Sequence, residues 1–453
     1  MTTPPTTTSR PERGAELDLR IDDLAYGGNG VARLEGYVVF VQGAVPGDRV
    51  RAVVTKRKRA YAEARTLEVL EPSPDRIPAV ADHPGAPWQV LPYERQLEVK
   101  HTQVDDALRR IGHLEGYVLD DIVPAVQQWR YRNKLEYSFG TDETGELICG
   151  FHAPGSWEDI VAVTDCKLAS ERGNEAREAV LAWARATGVS AFDRRAHTGL
   201  LRNLVVREGR RTGEVSVRLV TGPGEIDVQS FSDAVPCDSL LWTTTDGVGE
   251  TTYGGRTTLV SGDERIHEEI AGLRFAISPE AFFQTNTEMA ERLYGIAGEF
   301  ADLQGWERLY DLYSGIGTIG LSLAARAGEL WGIEVVEQAV ADALDNARAN
   351  GIQRANFYAG DVRLALRELA EKAGKPDVVV VDPPRAGLSA KVVRRVIETS
   401  PRRIVYISCN PTTLAPNAAQ LVEAGWALKR VRPVDMFPQT PHIECVAVLD
   451  RVA

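Results

Sequence analysis

Apolar and polar positions along the chain fall into two textures. Leu17, Leu19 and Ile21 alternate with polar neighbours, the two-residue period of a half-buried strand. Gly36-Tyr37-Val38-Val39-Phe40-Val41 reads as a further strand, and two more are expected at 50–56 and 60–70. Ala25 to Gly30 and Val45-Pro46-Gly47-Asp48 are turns. Short strands with glycine turns in so few residues predict an OB-like β-barrel over 15–72, a fold that often holds oligonucleotides. A Pro-rich linker follows from Glu71 to about Pro92, then a helix over 93–115 with Leu97, Val104, Leu108 and Ile111 on one stripe. From 129 to 278 strands and turns dominate, with one helix near 170–187.

The second texture begins near 287. Apolar strands at 308–313, 329–334, 355–358, 377–382 and 403–408 are separated by helical patterns, which requires crossover connections and a parallel sheet. Strands at 428–434 and 445–449 are too close for a crossover, so the seventh returns antiparallel. The expected architecture is a multidomain α/β chain: a tail (1–14), the OB-like barrel (15–72), a linker, helix and mostly-β central domain (73–280), and a Rossmann-like seven-stranded domain (281–453).

A chain of 453 residues accommodates several such cores. No apolar run is long enough to span a bilayer, and the Thr/Pro-rich start MTTPPTTTSRPERG has no secretory hydrophobic stretch. It reads as disordered. Cys149, Cys166, Cys237, Cys409 and Cys445 are dispersed without a CxxC pair, as expected for free thiols in a reducing cytoplasm. The net charge of −12 speaks against nucleic acid as a partner, but binding depends on local patches. Arg49 to Arg65 carries seven Lys/Arg against one Glu, which is either a solvated strand face or a nucleic-acid contact.

The chemistry gathers at predicted strand ends. DLYSGIGT (311–318) runs from a strand through a glycine loop into a helix, where the backbone can approach a ligand. Glu334 ends the second strand, placed to accept from two ribose hydroxyls, so both NAD and S-adenosylmethionine (SAM) fit; a tight turn without a ligand is the bland reading. Asp361 ends the third strand, where it can accept from an adenine amine. Asp382-Pro383-Pro384-Arg385 ends the fourth, a stiff loop that dehydrogenases do not need and methyltransferases acting on nucleobases commonly carry. This combination favours SAM. Arg385 stands where amino-group methyltransferases place an aromatic, which disfavours methylation of an exocyclic amine.

Cys409 closes the fifth strand in YISCNP. It is either a small buried hydrophobe or a nucleophile. C5 of uracil is a poor nucleophile until a thiolate adds to C6, after which a base must remove the C5 proton. The base candidates, His442 and Glu444, lie in FPQTPHIE just before the final strand, and Cys445 behind them reads as core.

Together these motifs resemble the RNA 5-methyluridine methyltransferases, class I SAM-dependent enzymes with an N-terminal TRAM domain, a central β domain and a catalytic domain. Gly28-Asn29-Gly30, Pro46-Gly47-Asp48, Tyr131-Arg132-Asn133-Lys134, Phe282-Phe283-Gln284-Thr285-Asn286, DPPRAG, SCNP and DMFPQTPHIE carry the likeness. The resemblance implies Cys409 as nucleophile and Glu444 as base. It places SAM contacts on Gln284, Tyr313, Thr318, Glu334, Asp361 and Asp382. It also implies RNA, transfer or ribosomal, held by the basic cluster and by Arg132 and Lys134 through phosphates, with a flipped uridine. A cytoplasmic monomer is expected, with no membrane partner. Many relatives carry an iron–sulfur cluster on four cysteines, three of them in a CGGC-like stretch. Here AVADHPGAPWQVLP precedes Tyr93-Glu94-Arg95-Gln96-Leu97 without a cysteine, and only Cys166 matches. No cluster is expected, with packing or Trp88 taking over its bracing. A non-catalytic RNA-binding protein with an inert Rossmann-like domain is the alternative reading.

Overall fold

The computed structural model describes residues 10–193, 195–247, 249 and 251–452. Residues 1–9 of the expected tail lie outside them, while Gly14 already donates its amide to the Val54 carbonyl at 2.9 Å. The chain divides into two compact units. The first comprises the residues up to Ala81, Ala86–Asp105 and Phe437–His442, and the second comprises the rest.

The first unit is built on a six-stranded mixed sheet. In spatial order its strands are Glu16–Arg20, Arg49–Arg57, Tyr61–Glu71, Tyr37–Gln42, Gly30–Leu34 and Asp23–Leu24. Period-two burial is strict where it matters: Val50, Ala52 and Val54 are buried and pack with Leu19, Val39 and Val41. Gly30–Leu34 is a strand that the sequence pattern did not show, because its five residues mix Gly, Arg and small apolar side chains. The unit extends past the boundary expected at residue 72, because polar contacts fasten the linker. Buried Asp48 accepts from the amides of Val45 and Ser73, each at 2.9 Å, and pairs with Arg76 at 2.7 Å. Burial alone would raise the Asp48 carboxyl, but Arg76 and the two amides outweigh it and hold it below the usual range.

Helix Tyr93–Asp106 belongs to this unit up to Asp105. Its buried Gln96 explains the Tyr-x-x-Gln-Leu element. The Gln96 side-chain amide donates to the carbonyls of Trp88 and Leu91, each at 3.0 Å, and to Gln439 Oε1 at 2.8 Å. Gln96 Oε1 in turn accepts the Gln439 amide at 2.9 Å.

In the second unit a seven-stranded sheet runs, in spatial order, Ile160–Ala162, Leu147–His152, Lys134–Thr141, Leu201–Glu208, Val215–Thr221, Ser239–Thr244 and Arg256–Gly262. Helix Glu171–Thr187, capped by Ser170, packs on it. The other large sheet has eight strands among the described residues, not the seven expected. Its order is Ala355–Ala359, Glu329–Glu334, Arg308–Leu312, Val378–Val381, Arg403–Ser408, Glu444–Arg451, Trp426–Val434 and Val118–Leu119. The eighth is a two-residue edge strand paired parallel to Trp426–Val434, too short to leave a periodic signal. Glu444–Arg451 is antiparallel to both of its neighbours, while the other pairs between the larger strands are parallel. No described helix is long and apolar enough to cross a membrane.

Candidate active site

Strand Arg308–Leu312 delivers the chain to the glycine loop. Tyr313 takes the left-handed conformation at φ 67°, with its amide and that of Ser314 both bonded to the Ile333 carbonyl. A non-glycine residue there costs about 1–3 kcal/mol, held only where the surroundings impose it. Gly317 has φ 85°, and a Cβ on it would come within 2.9 Å of Phe357. Gly320 opens toward Asp311: a Cβ would sit 2.8 Å from the carboxylate oxygen that accepts the Gly320 amide at 2.9 Å.

Glu334 ends the neighbouring strand. One of its oxygens accepts the Gly315 amide at 3.1 Å, the other the Val336 amide at 2.9 Å. The carboxylate is thus aimed by two backbone donors, and each oxygen keeps a lone pair for a hydroxyl. Gly315 and Glu334 line a cleft of about 840 Å³ that also includes Val336 and Phe282. Thr318 opens the following helix, with its hydroxyl 3.1 Å from the buried Tyr294 phenol. Gln284 is buried, and its carbonyl is held by Asn133 Nδ2 at 2.9 Å.

Asp361 caps helix Val362–Ala373 and is gripped by Arg363, both through that residue's amide at 2.9 Å and through its guanidinium. The Arg363 hydrogen bonds pull its carboxyl down to about 2. Both oxygens are therefore already engaged, a restriction invisible at a strand end read from sequence alone.

Cys409 and Glu444 meet through strand register. Ser408 pairs with Cys445 as the last pair of the antiparallel ladder, so Cys409 and Glu444 each adjoin that pair, and the Glu444 charge is felt at the Cys409 thiol. Asp382 follows Val381, which pairs with Tyr406 on the other side of the same strand. Burial pushes the Cys409 thiol up to about 11, with Glu444 and Asp382 adding to the rise and Arg385 opposing it. Glu444 is 4 % exposed. Its burial, reinforced by Asp382, raises its carboxyl well above the carboxylate range, again opposed by Arg385. Burial alone pushes Asp382 up to about 7. The resting site therefore holds a neutral thiol among carboxyls that are reluctant to ionise, with one guanidinium favouring the charged forms. Cys445 is fully buried, in agreement with a core role. His442 belongs to the Phe437–His442 segment of the first unit, its ring set edge-on to Phe437 at 5.9 Å.

Two groups escaped the sequence reading. Asp311 is fully buried, burial pushes its carboxyl up to about 7, and its Oδ1 has no partner among the described residues. It stood within the DLYSGIGT motif, but nothing there marked it as the acid behind the loop. His83 is the other. Its Nε2 lies 3.1 Å from Cys166 Sγ, both residues are buried, and its Nδ1 accepts the Gly85 amide at 3.1 Å. With Nδ1 accepting, Nε2 carries the proton and donates to sulfur. Burial, then the charge of Arg132, lowers the imidazole to about 4, so it is neutral near pH 7. Among the described residues, His83 meets Cys166. The pair supplies two ligands where a cluster takes four.

The orphaned oxygen of Asp311, the two aimed oxygens of Glu334 and the glycine cradle suit a cationic, ribose-bearing cofactor. Residues 263–452 fit the tRNA (uracil-5-)-methyltransferase model, and residues 10–67 the TRAM domain. An RNA methyltransferase of Halalkalibacterium halodurans is 37 % identical over 444 residues, covering 96 % of each chain. One from Bacteroides thetaiotaomicron is 38 % identical, covering 94 % of this chain and 100 % of its own. The structure of Pyrococcus abyssi tRNA (uracil-54, C5)-methyltransferase with S-adenosyl-L-homocysteine superposes with a TM-score of 0.77 at 30 % identity, covering 96 % of this chain and 100 % of that one. The chain belongs to the TRAM-containing, SAM-dependent RNA (uracil-C5)-methyltransferases, and it is an enzyme of that family.

Proposed function

We propose that the protein methylates C5 of one uridine in a structured RNA through a covalent bond between Cys409 and C6 of the base. The nearness of Cys409 and Glu444, each beside the last pair of the antiparallel ladder, Ser408–Cys445, carries this reading, with the Glu444 charge felt at the Cys409 thiol. SAM, when bound, supplies an electrophilic methyl group. Gln284, Tyr313, Thr318, Glu334, Asp361 and Asp382 line its seat, with Glu334 on the ribose.

Cys409 releases its proton to solvent and its sulfur adds to C6, moving the C5–C6 electron pair toward O4 and making C5 nucleophilic. Arg385 is the cation that favours this anionic stage, since it opposes the raised values of both Cys409 and Glu444. After C5 has taken the methyl group, Glu444 removes the C5 proton. The electrons of that C–H bond restore the C5–C6 double bond and expel the Cys409 thiolate. To accept that proton Glu444 must be ionised, a state that its burial opposes and the Arg385 charge favours.

The substrate we favour is tRNA, because the neighbour superposed over its whole length is a tRNA (uracil-54, C5) enzyme; ribosomal RNA is the other candidate. The six-stranded N-terminal sheet, read as an OB-like barrel, presents exposed Arg57, Lys58 and Arg59 to phosphates. The protein acts as a monomer in this reading. Incubation with an unmodified tRNA transcript and methyl-labelled SAM, followed by nucleoside analysis, tests it: labelled 5-methyluridine is expected, and label on another nucleoside or none would sink it.

A further inference from the structure

Helix Thr287–Ala301 lies across the strands that deliver the reacting groups. It packs against Val378–Val381, Arg403–Ser408 and Glu444–Arg451, and against the short helix Thr318–Ala324 that follows the glycine loop. Asn286 fixes its start twice: Oδ1 accepts the Met289 amide at 3.3 Å, and Nδ2 donates to the Met436 carbonyl at 2.9 Å. Roughly two turns further on, Tyr294 is 2 % exposed and its phenol lies 3.1 Å from Thr318 Oγ1. A buried tyrosine hydroxyl requires a partner, and Thr318 is that partner. Thr318 itself is only half-buried at the end of the glycine loop. The contact therefore joins the packed interior to the loop that seats the cofactor.

Which hydroxyl donates decides what the pair can do. Burial raises the Tyr294 phenol above its ordinary value; the Thr318 hydrogen bond opposes the rise, and the charges of Asp382, Asp311 and Glu444 add to it. Near neutral pH the phenol thus keeps its hydrogen. A phenol is the stronger acid and the weaker acceptor of the two hydroxyls, so Tyr294 donates and Thr318 Oγ1 accepts. The single hydrogen of Thr318 is then left for another acceptor. Thr318 is the first residue of its helix, so no carbonyl of a preceding helical turn is there for the back-bond open to a threonine inside a helix. Its Oγ1 has no other hydrogen-bond partner among the described residues. SAM brings an acceptor of the right kind, the carboxylate of its methionine end, while its ribose hydroxyls go to Glu334.

We propose that Tyr294 is a positioning residue for the cofactor: by donating to Thr318 Oγ1 it commits the Thr318 hydrogen to the carboxylate of bound SAM. The inference rests on the placement of Thr318 in the SAM seat, and it adds a residue that acts on the cofactor without touching it.

Isothermal titration of SAM into the full-length protein tests it through a double-mutant cycle. Tyr294→Phe and Thr318→Val each keep the side chain's shape, and each should weaken SAM binding by about 3- to 10-fold, the range for one hydrogen bond. In the double variant, Tyr294→Phe should add less than about twofold to the loss from Thr318→Val, because the hydroxyl it orients is gone. In a Thr318→Ser background, which retains a hydroxyl, Tyr294→Phe should again weaken SAM by about 3- to 10-fold. A purely structural role for the phenol would lower affinity alike in all three backgrounds. The inference is overturned if Tyr294→Phe binds SAM within about twofold of wild type, or if it costs as much in the Thr318→Val protein as in the wild type; either result leaves Thr318 in the seat. A Thr318→Val protein that binds SAM like wild type would overturn the inference and the placement of Thr318 together.

Discussion

Asn410 holds the two loops of the site together: its Nδ2 donates to the Arg385 carbonyl at 3.0 Å, tying the residue after Cys409 to the end of the Asp382-Pro-Pro-Arg385 turn. Its Oδ1 meanwhile caps helix Pro411–Glu423 by accepting from the Thr412 amide, also at 3.0 Å. Thr413 Oγ1 reinforces the same carbonyl at 3.3 Å. One side chain thereby sets the direction of the thiol and the position of Arg385.

Asn410→Ala should therefore do more than remove a helix cap. The cap accounts for about 1 kcal/mol of stability. Release of the Arg385 loop should add a loss in kcat of about 10- to 100-fold through misplacement of the reacting groups. SAM affinity should stay within a few-fold of wild type, because Glu334 and the glycine loop are held by other contacts. Calorimetric titration of SAM alongside methylation rates checks the split; a large loss of affinity at unchanged kcat would refute it.

Asp382 trades stability for function. Its carboxyl is raised from 3.8 to about 7 by burial. The folded state thus holds a proton that the unfolded state releases, and this contribution is full below about pH 4 and lost as pH rises through 7. Asparagine carries no charge to bury. Asp382→Asn should match the wild type near pH 3 and melt about 2–6 °C higher at pH 8 without SAM, while losing most SAM affinity. Scanning calorimetry across pH reads the difference. A variant less stable than wild type at pH 8 would show that the carboxylate is satisfied in the fold.

How much of this was legible beforehand follows from the range of the interactions. Alternation alone marked Leu19 and Ile21, both buried, and strand ends followed by turn residues marked Glu334, Asp382 and Cys409. Each of those depends on the chain within a few residues. His83 and Cys166 are 83 residues apart, Gln96 and Gln439 are 343 apart, and neither pair has a local pattern. Arg207 lies in the strand Leu201–Glu208, every residue of which is buried, and nothing local in the sequence sets it apart there. The grip of Arg363 on Asp361 is local, two residues away, but a strand-end Asp reads as a ligand and as a helix cap equally well.

The His83–Cys166 contact bears on metal. Protein purified without oxygen should contain neither stoichiometric iron nor acid-labile sulfide, and should show no visible absorption. His83→Ala should cost about 1–3 kcal/mol, the usual penalty for emptying a buried polar contact, read as a fall in Tm. Iron at four atoms per chain would overturn the first expectation, and an unchanged Tm the second.

The thiol should ionise slowly with pH. With Cys409 held up to about 11 by burial, Glu444 and Asp382, the thiolate fraction rises about tenfold per pH unit below that value. Trapping of RNA containing 5-fluorouridine should accelerate correspondingly between pH 6 and 8. A flat profile would mean that the thiolate is already formed in the resting enzyme.

The strongest separation of roles comes from comparing Cys409→Ala with Glu444→Gln. Without the thiol no bond to C6 can form, so Cys409→Ala should neither methylate RNA nor become linked to it. Glu444→Gln keeps the thiol and removes the base, so addition and methyl transfer proceed while loss of the C5 proton slows by about 10²–10⁴-fold. A methylated protein–RNA adduct should then accumulate and survive denaturing electrophoresis. The wild type should trap in the same manner on 5-fluorouridine RNA, because fluorine cannot leave C5 as a cation. Cys445, one residue beyond Glu444, is fully buried and its thiol is raised well above the usual range by that burial, so it cannot substitute. If Cys409→Ala still trapped fluorinated RNA, the nucleophile would lie elsewhere; if Glu444→Gln turned over normally with no adduct, the proton would leave by another route and the pairing of these two residues would not be the catalytic one.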